Sequence, residues 1–412
     1  MNLKSAKKHY KSIIILSLIS CFSLVGCEGG SGSNTGALAF LFSSGADYTK
    51  VLKYSGTNVV LPSLLALKND TATLETKALA YYTSQNPTTL GELQNAWKAA
   101  HVSLKRVEVF YFGPGTYPST KNYYVKMDAF ETISARPLWT YVNKMITNTA
   151  ACATTNPMTS TDLASCSVIY KGFESLEMLI FSSDGLASTI DDATSINSVN
   201  TAGSRRLEYL KSLAQLINQD ANSLYNSWDP SGENFLGNFI AGNGSYFPNQ
   251  GVAFDTYVQS LGNIVYQIWD GKLGGPACLT PGCSTNPNPK STEATFSRNA
   301  YQDLYENLLG LELGYQGNPA DTDAVTLSTM IQAQNSQLDT DIKAAIAALK
   351  SAINTSNDLY AQIDTDGASV GTSINTNVKP IYNLATTLKV LFNVDAFSAL
   401  GVPSLPPAAD GD

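Results

Sequence analysis

The chain has 412 residues, 43% of them hydrophobic and 15% charged, with a formal charge of −8. That length allows one large domain or two. The acidic balance argues against nucleic acid and anionic lipid surfaces as partners, since neither attracts a protein of like sign; it is compatible with cation binding without demonstrating it.

The N-terminus has the pattern of an export signal. Lys4, Lys7, Lys8 and Lys11 precede the apolar run IIILSLISCFSLV at 13–25, which is too short for a membrane span of about 20 residues. Small residues lead into Cys27, as in a bacterial lipoprotein signal: residues 1–26 are removed and Cys27 receives lipid, with a plain secretory signal as the alternative. Residues 28–36, EGGSGSNTG, are Gly/Ser-rich, so 27–46 reads as a lipidated cysteine on a flexible tether. The expected location is the bacterial cell envelope, with the membrane as a partner through the lipid on Cys27 and the face of the membrane left open. Losing the four lysines takes the charge from −8 to about −12.

Beyond the tether the periodicity is helical. Leu90, Leu93, Trp97, Leu104 and Val107 predict a helix over 89–113, stopped by Gly113-Pro114. YKGFESLEMLIF at 170–181 is a helical apolar run carrying Glu174 and Glu177, which share one face at i,i+3. Two like charges on a buried face need neutralising. They are either a cation site or a solvated edge, and Lys171, Arg106 and Arg298 are candidate partners. Ser204 caps a predicted helix over 204–228, and 251–270, 293–315, 322–353 and 378–393 also read as helices. The breaks between them are rich in Gly, Pro, Asn, Ser or Thr, and strand alternation is scarce. The fold class is therefore all-α.

Asn95–Gly113 and Asn299–Gly317 match at an offset of 204: Trp97 with Tyr301, Glu108 with Glu312, Gly113 with Gly317. This suggests an internal repeat and two helical-bundle-like halves. The expected domains are 47–235, containing the Glu174 helix, and 236–412. Six cysteines are present. With Cys21 in the signal and Cys27 lipidated, Cys152–Cys166 and Cys278–Cys283 are the near-neighbour disulfide pairs of an exported protein. Zinc binding by these four is the weaker alternative, as CxxC spacing is absent.

AWKAAHVSLKRVEVFYFGP, KGFESLEMLIF and EATFSRNAYQDLYENLLGLELGYQG together resemble the imelysin family of exported, often lipid-anchored bacterial proteins, as does the ending LGVPSLPPAADGD. The resemblance covers roughly residues 47–412. It implies two helical bundles, a Gly-x-His-x-x-Glu signature helix near their junction, and links to iron or haem uptake; a metallopeptidase activity has been proposed for the family. The matching positions are Gly172, Glu177, Glu108, Glu293, Ser297, Arg298 and Asn307. Two positions depart from the pattern: Glu174 stands at the signature histidine and His101 at a position commonly arginine.

These departures bear on the chemistry. A hydrolytic zinc site uses histidine, and HExxH cannot be built from one histidine beyond the signal. Glu174, Glu177 and His101 are the candidate metal ligands. Such an oxygen-rich set suits Ca²⁺, Mn²⁺ or ferric iron better than zinc. The ligand-binding candidates are Gly172, Glu174, Glu177, His101, Glu108, Ser297, Arg298 and Asn307, and no catalytic residue is assigned. The expected function is a non-catalytic binding protein in iron or haem acquisition, with uptake components or host molecules as partners. The alternatives are a metal-dependent peptidase of the imelysin type and a surface-exposed interaction protein without a ligand.

Overall fold

The computed structural model describes residues 48–116, 121–129, 138–186, 190–364 and 370–405. The signal segment 1–26, Cys27, the tether to 46 and the Asp-Gly-Asp ending lie outside the described residues. Among those described the fold is all-α, with no strand, and no helix is long and apolar enough to cross a membrane.

Thr49–Tyr54 passes through a π-helical turn, Ser55–Val60, into α1 (Leu61–Thr83). Periodicity did not single this helix out. Its buried stripe of Leu64, Leu67, Leu74, Ala78 and Tyr81 is interrupted by buried Thr71. Next comes α2 (Pro87–Glu108), which begins where Asn86 accepts hydrogen bonds from the backbone N–H groups of Thr88 and Thr89 and Pro87 takes the first helical position. It ends five residues short of the predicted stop at Gly113. The signature helix is α3 (Phe173–Phe181), and α4 (Arg205–Trp228) starts from Ser204 as read from sequence.

In the C-terminal part, α5 (Gln250–Gln267) runs into a π-helical turn, Ile268–Gly274. Helix α6 (Ala300–Gln316) is shorter than the predicted 293–315. The predicted 322–353 helix is two, α7 (Leu327–Gln334) and α8 (Ser336–Ala352), because Asn335 leaves the helical region and caps α8 through Leu338 N–H. Helix α9 (Lys379–Val390) lies between two further π-helical turns. The expected division at residue 235 falls at the start of the short helix Phe235–Ala241. Cys152 is bonded to Cys166, and Cys278 to Cys283.

Helix α2 is the centre of the packing. It lies against α1, which also packs on α4, and its other sides meet α3 and α6; α6 in turn contacts α5 and α7, and α8 packs on α9. The described residues from Tyr48 onward form one compact unit. The two stretches matched at this offset pack against each other as α2 and α6, and each stretch ends at a glycine of positive φ, Gly113 at 64° and Gly317 at 73°. Their matched residues are used differently, however. Glu108 is buried among charges, whereas Glu312 pairs with Lys350 nearer the surface.

The α2–α6 approach depends on Gly310. A β-carbon there would sit 2.4 Å from the Arg106 carbonyl oxygen and 2.7 Å from a Val109 methyl. Backbone cannot yield as a side-chain tip can, so Gly310→Ala should force the helices apart. The expected loss is about 2 kcal/mol, within the overpacking range, measured by reversible denaturation.

Candidate functional site

The signature helix α3 is held at its first turn. Gly172, just before it, has φ 92°, a conformation that side chains rarely adopt. A β-carbon there would also lie 2.5 Å from the Met127 carbonyl oxygen. Trp97 Nε1 on α2 donates to the Phe173 carbonyl at 3.1 Å. Glycine at 172 is therefore required by the close passage of the Lys126 and Met127 backbone, which leads into Asp128.

Glu174 and Glu177 share a helix but have separate environments. Glu174 is partly exposed as a residue, yet both carboxyl oxygens are sealed from solvent and accept no hydrogen bond. Burial first, and then the neighbouring Asp128 carboxylate, pushes its pKa well above the usual carboxyl range. Two carboxylates have no proton between them, but a protonated Glu174 can donate to Asp128. Asp128 is held below its ordinary value: burial opposes its charge, but Lys105 and the Glu174 bond outweigh that. The pair is best described as a neutral acid bonded to a carboxylate.

Asp128 leads into a buried charge cluster. The Lys105 ammonium, fully buried on α2, bonds Asp128 and Glu293 and lies 3.4 Å from Glu108. Lys272, from the π-helical turn after α5, reaches Glu108 at 2.9 Å and Glu293 at 2.9 Å. Asn307 on α6 donates to the Lys105 carbonyl at 2.6 Å and to Glu108 at 3.1 Å. Glu108 and Glu293 each bridge both lysines. Burial works against the Lys105 charge, but the surrounding carboxylates raise its pKa well above the ordinary value.

Glu177 belongs to a second group. Its Oε1 accepts the Ser297 backbone N–H at 2.8 Å. His101 stacks on Trp97 at 4.6 Å between centroids, and its Nδ1 lies 3.1 Å from Asp303 Oδ1. Burial opposes a charged imidazole, yet Asp303 more than offsets it, so the His101 pKa is raised. Glu177 is pushed to about 7, by burial first, with the Ser297 bonds and His101 pulling down and Asp303 pushing up.

Ser297 lies in a stretch predicted to be helical, but residues 293–299 form buried turns, with Ala294 at φ 47° and Arg298 at φ 59°. This route lets Glu293 reach both lysines and Ser297 reach Glu177. Arg298 points elsewhere, its guanidinium carbon 3.4 Å from the Tyr360 ring centroid. Lys171 donates to the Ala164 carbonyl and Arg106 pairs with Glu306, so neither neutralises the signature acids.

The fold thus brings together Gly172, Glu174, Glu177, His101, Glu108, Ser297 and Asn307. Sequence reading did not nominate Lys105, Lys272, Asp128 or Asp303. The available signal was on α2, where His101, Lys105 and Glu108 follow Trp97 at helical spacing along a face expected to be apolar. Of the candidate metal ligands, Glu174 lies against Asp128, while Glu177 and His101 each have one atom engaged, Oε1 by the Ser297 amide and Nδ1 by Asp303. Among the described residues no group of three or more His, Cys, Asp or Glu side chains could hold a metal ion as the chain stands. Two surface hollows of about 390 Å³ lie at Asn335–Asp395 and at Tyr54–Asp321, and neither is lined by α3.

A family model described as imelysin, peptidase M75, matches residues 60–379. A crystal structure of an iron-regulated protein A precursor from Parabacteroides distasonis ATCC 8503 is similar, with TM-score 0.64 and 17% identity, over 86% of this chain and 95% of that one. An imelysin-like protein from Psychrobacter arcticum 273-4 gives TM-score 0.62 and 16% identity, over 88% and 98%. At such identities the likeness establishes the fold. No match was found among curated proteins.

The raised pKa of Glu177 has a defined sign in stability. Its folded value of about 7 exceeds the ordinary 4.5, so the folded state holds this proton more tightly than the unfolded state. The contribution is complete below pH 4.5 and disappears as pH rises through 7, amounting to about 3 kcal/mol over that window. Glu174 and His101 are shifted in the same direction. Thermal melting should therefore fall between pH 5 and pH 8, and Glu177→Gln should flatten the fall; a variant that keeps the full slope would refute this assignment.

Proposed function

The chain belongs to the imelysin family, and from that premise we propose that it is a lipid-anchored envelope protein that binds an iron-bearing ligand, ferric iron or haem, during iron acquisition and does not hydrolyse peptides. The observation that carries the non-catalytic reading is the state of Glu174. At the position where a hydrolytic signature needs a metal-binding imidazole, this chain has a carboxyl whose buried oxygens face Asp128, and burial and that neighbour raise its pKa against the charged form a metal needs. A hydrolytic metal would be left with Glu177 and His101 alone, fewer than the three protein ligands of catalytic zinc sites.

The link to iron is supported by the Parabacteroides distasonis relative, which is described as iron-regulated. It is also supported by donor chemistry: Glu177 offers a hard carboxylate oxygen and His101 an imidazole, groups suited to ferric iron or to an axial position on haem. Envelope anchoring is supported by the basic and apolar segments that lead to Cys27.

Titration of the detergent-solubilised full-length chain with ferric nitrilotriacetate and with haemin tests this reading. Saturable one-to-one binding of one of them is expected, weakened about tenfold in Glu177→Ala, or roughly 1.4 kcal/mol. Metal-dependent cleavage of peptides would select the peptidase alternative, and binding of neither probe would select an interaction protein working through its surface. Metabolic labelling with palmitate should mark the parent and not Cys27→Ser.

A further inference from the structure

We propose that Lys105 is the resident cation of the signature region: its ammonium occupies the point where Asp128, Glu108 and Glu293 converge, so this chain carries a latent hard-cation site closed by its own lysine. The inference does not rest on the iron-ligand reading, which concerns Glu177 and His101.

The geometry is that of a site with its cation in place. An ammonium has three donors and no acceptor, and Lys105 Nζ faces three carboxylates supplied by three separate chain segments. All are sealed from solvent: Lys105 is 0% exposed, Asp128 5%, Glu108 6% and Glu293 3%. Carboxylates brought this close repel one another unless a positive charge lies between them. Lys272 adds a second positive charge from the far side, bridging Glu108 and Glu293. Glu174 adds a fourth carboxyl beyond Asp128, and its two buried oxygens accept no hydrogen bond. The same oxygen-only donors would suit a hard divalent ion such as Mn²⁺ or Ca²⁺ if the ammonium were absent. A lysine tethered to α2 fixes that charge within the chain, so the region needs no metal supply to stay folded.

The test is Mn²⁺ binding to the detergent-solubilised full-length chain, followed by electron paramagnetic resonance and thermal melting. Lys105→Ala should bind one more Mn²⁺ per chain than the parent, and the additional ion should disappear in the double variant Lys105→Ala/Glu293→Gln. Mn²⁺ should raise the melting temperature of Lys105→Ala by several degrees and leave the parent unchanged, because a ligand specific to the folded state stabilises it. A folded Lys105→Ala that gains no ion would overturn the proposal, as would a parent that already binds Mn²⁺ through Glu293. If Lys105→Ala does not fold, the parent decides. Equal melting in EDTA and in excess Mn²⁺ supports an internal cation, and a Mn²⁺-induced rise abolished by Glu293→Gln rejects it. The iron-ligand reading fails separately, through Glu177→Ala.

Discussion

Two lysine ammoniums buried in a helical protein cost several kcal/mol each to desolvate, and only close, well-bonded carboxylates offset that cost. Lys105 and Lys272 meet this condition through Asp128, Glu108 and Glu293. The consequence is positional. The five residues come from α2, the segment after Tyr123–Met127, the π-helical turn after α5 and the turns before α6. None of these segments can shift alone without leaving a buried charge unpaired, which is far more costly than losing the pair as a whole. The cluster thus fixes how the N-terminal helices meet the C-terminal ones, while apolar packing along α1, α2 and α4 supplies the stability.

The signature helix attaches to this arrangement at two points, which explains why its two acids are three residues apart yet chemically unlike. Glu174 meets Asp128, and burial with that neighbour raises its pKa. Glu177 accepts the Ser297 amide and faces the His101–Asp303 pair. A protonated carboxyl and a neutral imidazole each present one hydrogen-bond donor, so glutamate at 174 can supply the donor that a histidine would supply while giving up much of its metal affinity. Gly172 follows from the same packing, because the segment that brings in Asp128 passes directly over it.

Much of this was legible in the sequence. Helical periodicity and the Ser204 cap gave α4 nearly to the residue, and the imelysin-like blocks nominated Gly172, Glu177, Glu108, Ser297 and Asn307, which the fold gathers together. The reading failed where tertiary demands outweigh local pattern. Residues 293–299 have helical composition, but Glu293 and Ser297 must reach partners that a continuous helix would not allow both to reach. Asn335 divides α7 from α8 because its side chain satisfies the backbone better as a cap than within a helix. Lys105 was overlooked because a lysine among leucines on an amphipathic helix ordinarily extends to solvent. Only the three-dimensional position of Asp128 and Glu293 shows that it turns inward.

The segment before α6 is where these constraints meet. Ala294 and Arg298 both adopt positive φ without being glycine, a conformation costing on the order of 1–2 kcal/mol per residue. Such strain persists only where surrounding contacts over-determine the backbone. Here Glu293 is bound to two lysines and Ser297 to Glu177, one constraint beside each strained residue. Strain, buried charge and the signature helix therefore coincide in one short stretch, where the two lysines offset most of the carboxylate charge. The Glu177 carboxyl takes its orientation from this stretch, since relaxing Arg298 would move the adjacent Ser297 amide that Glu177 accepts.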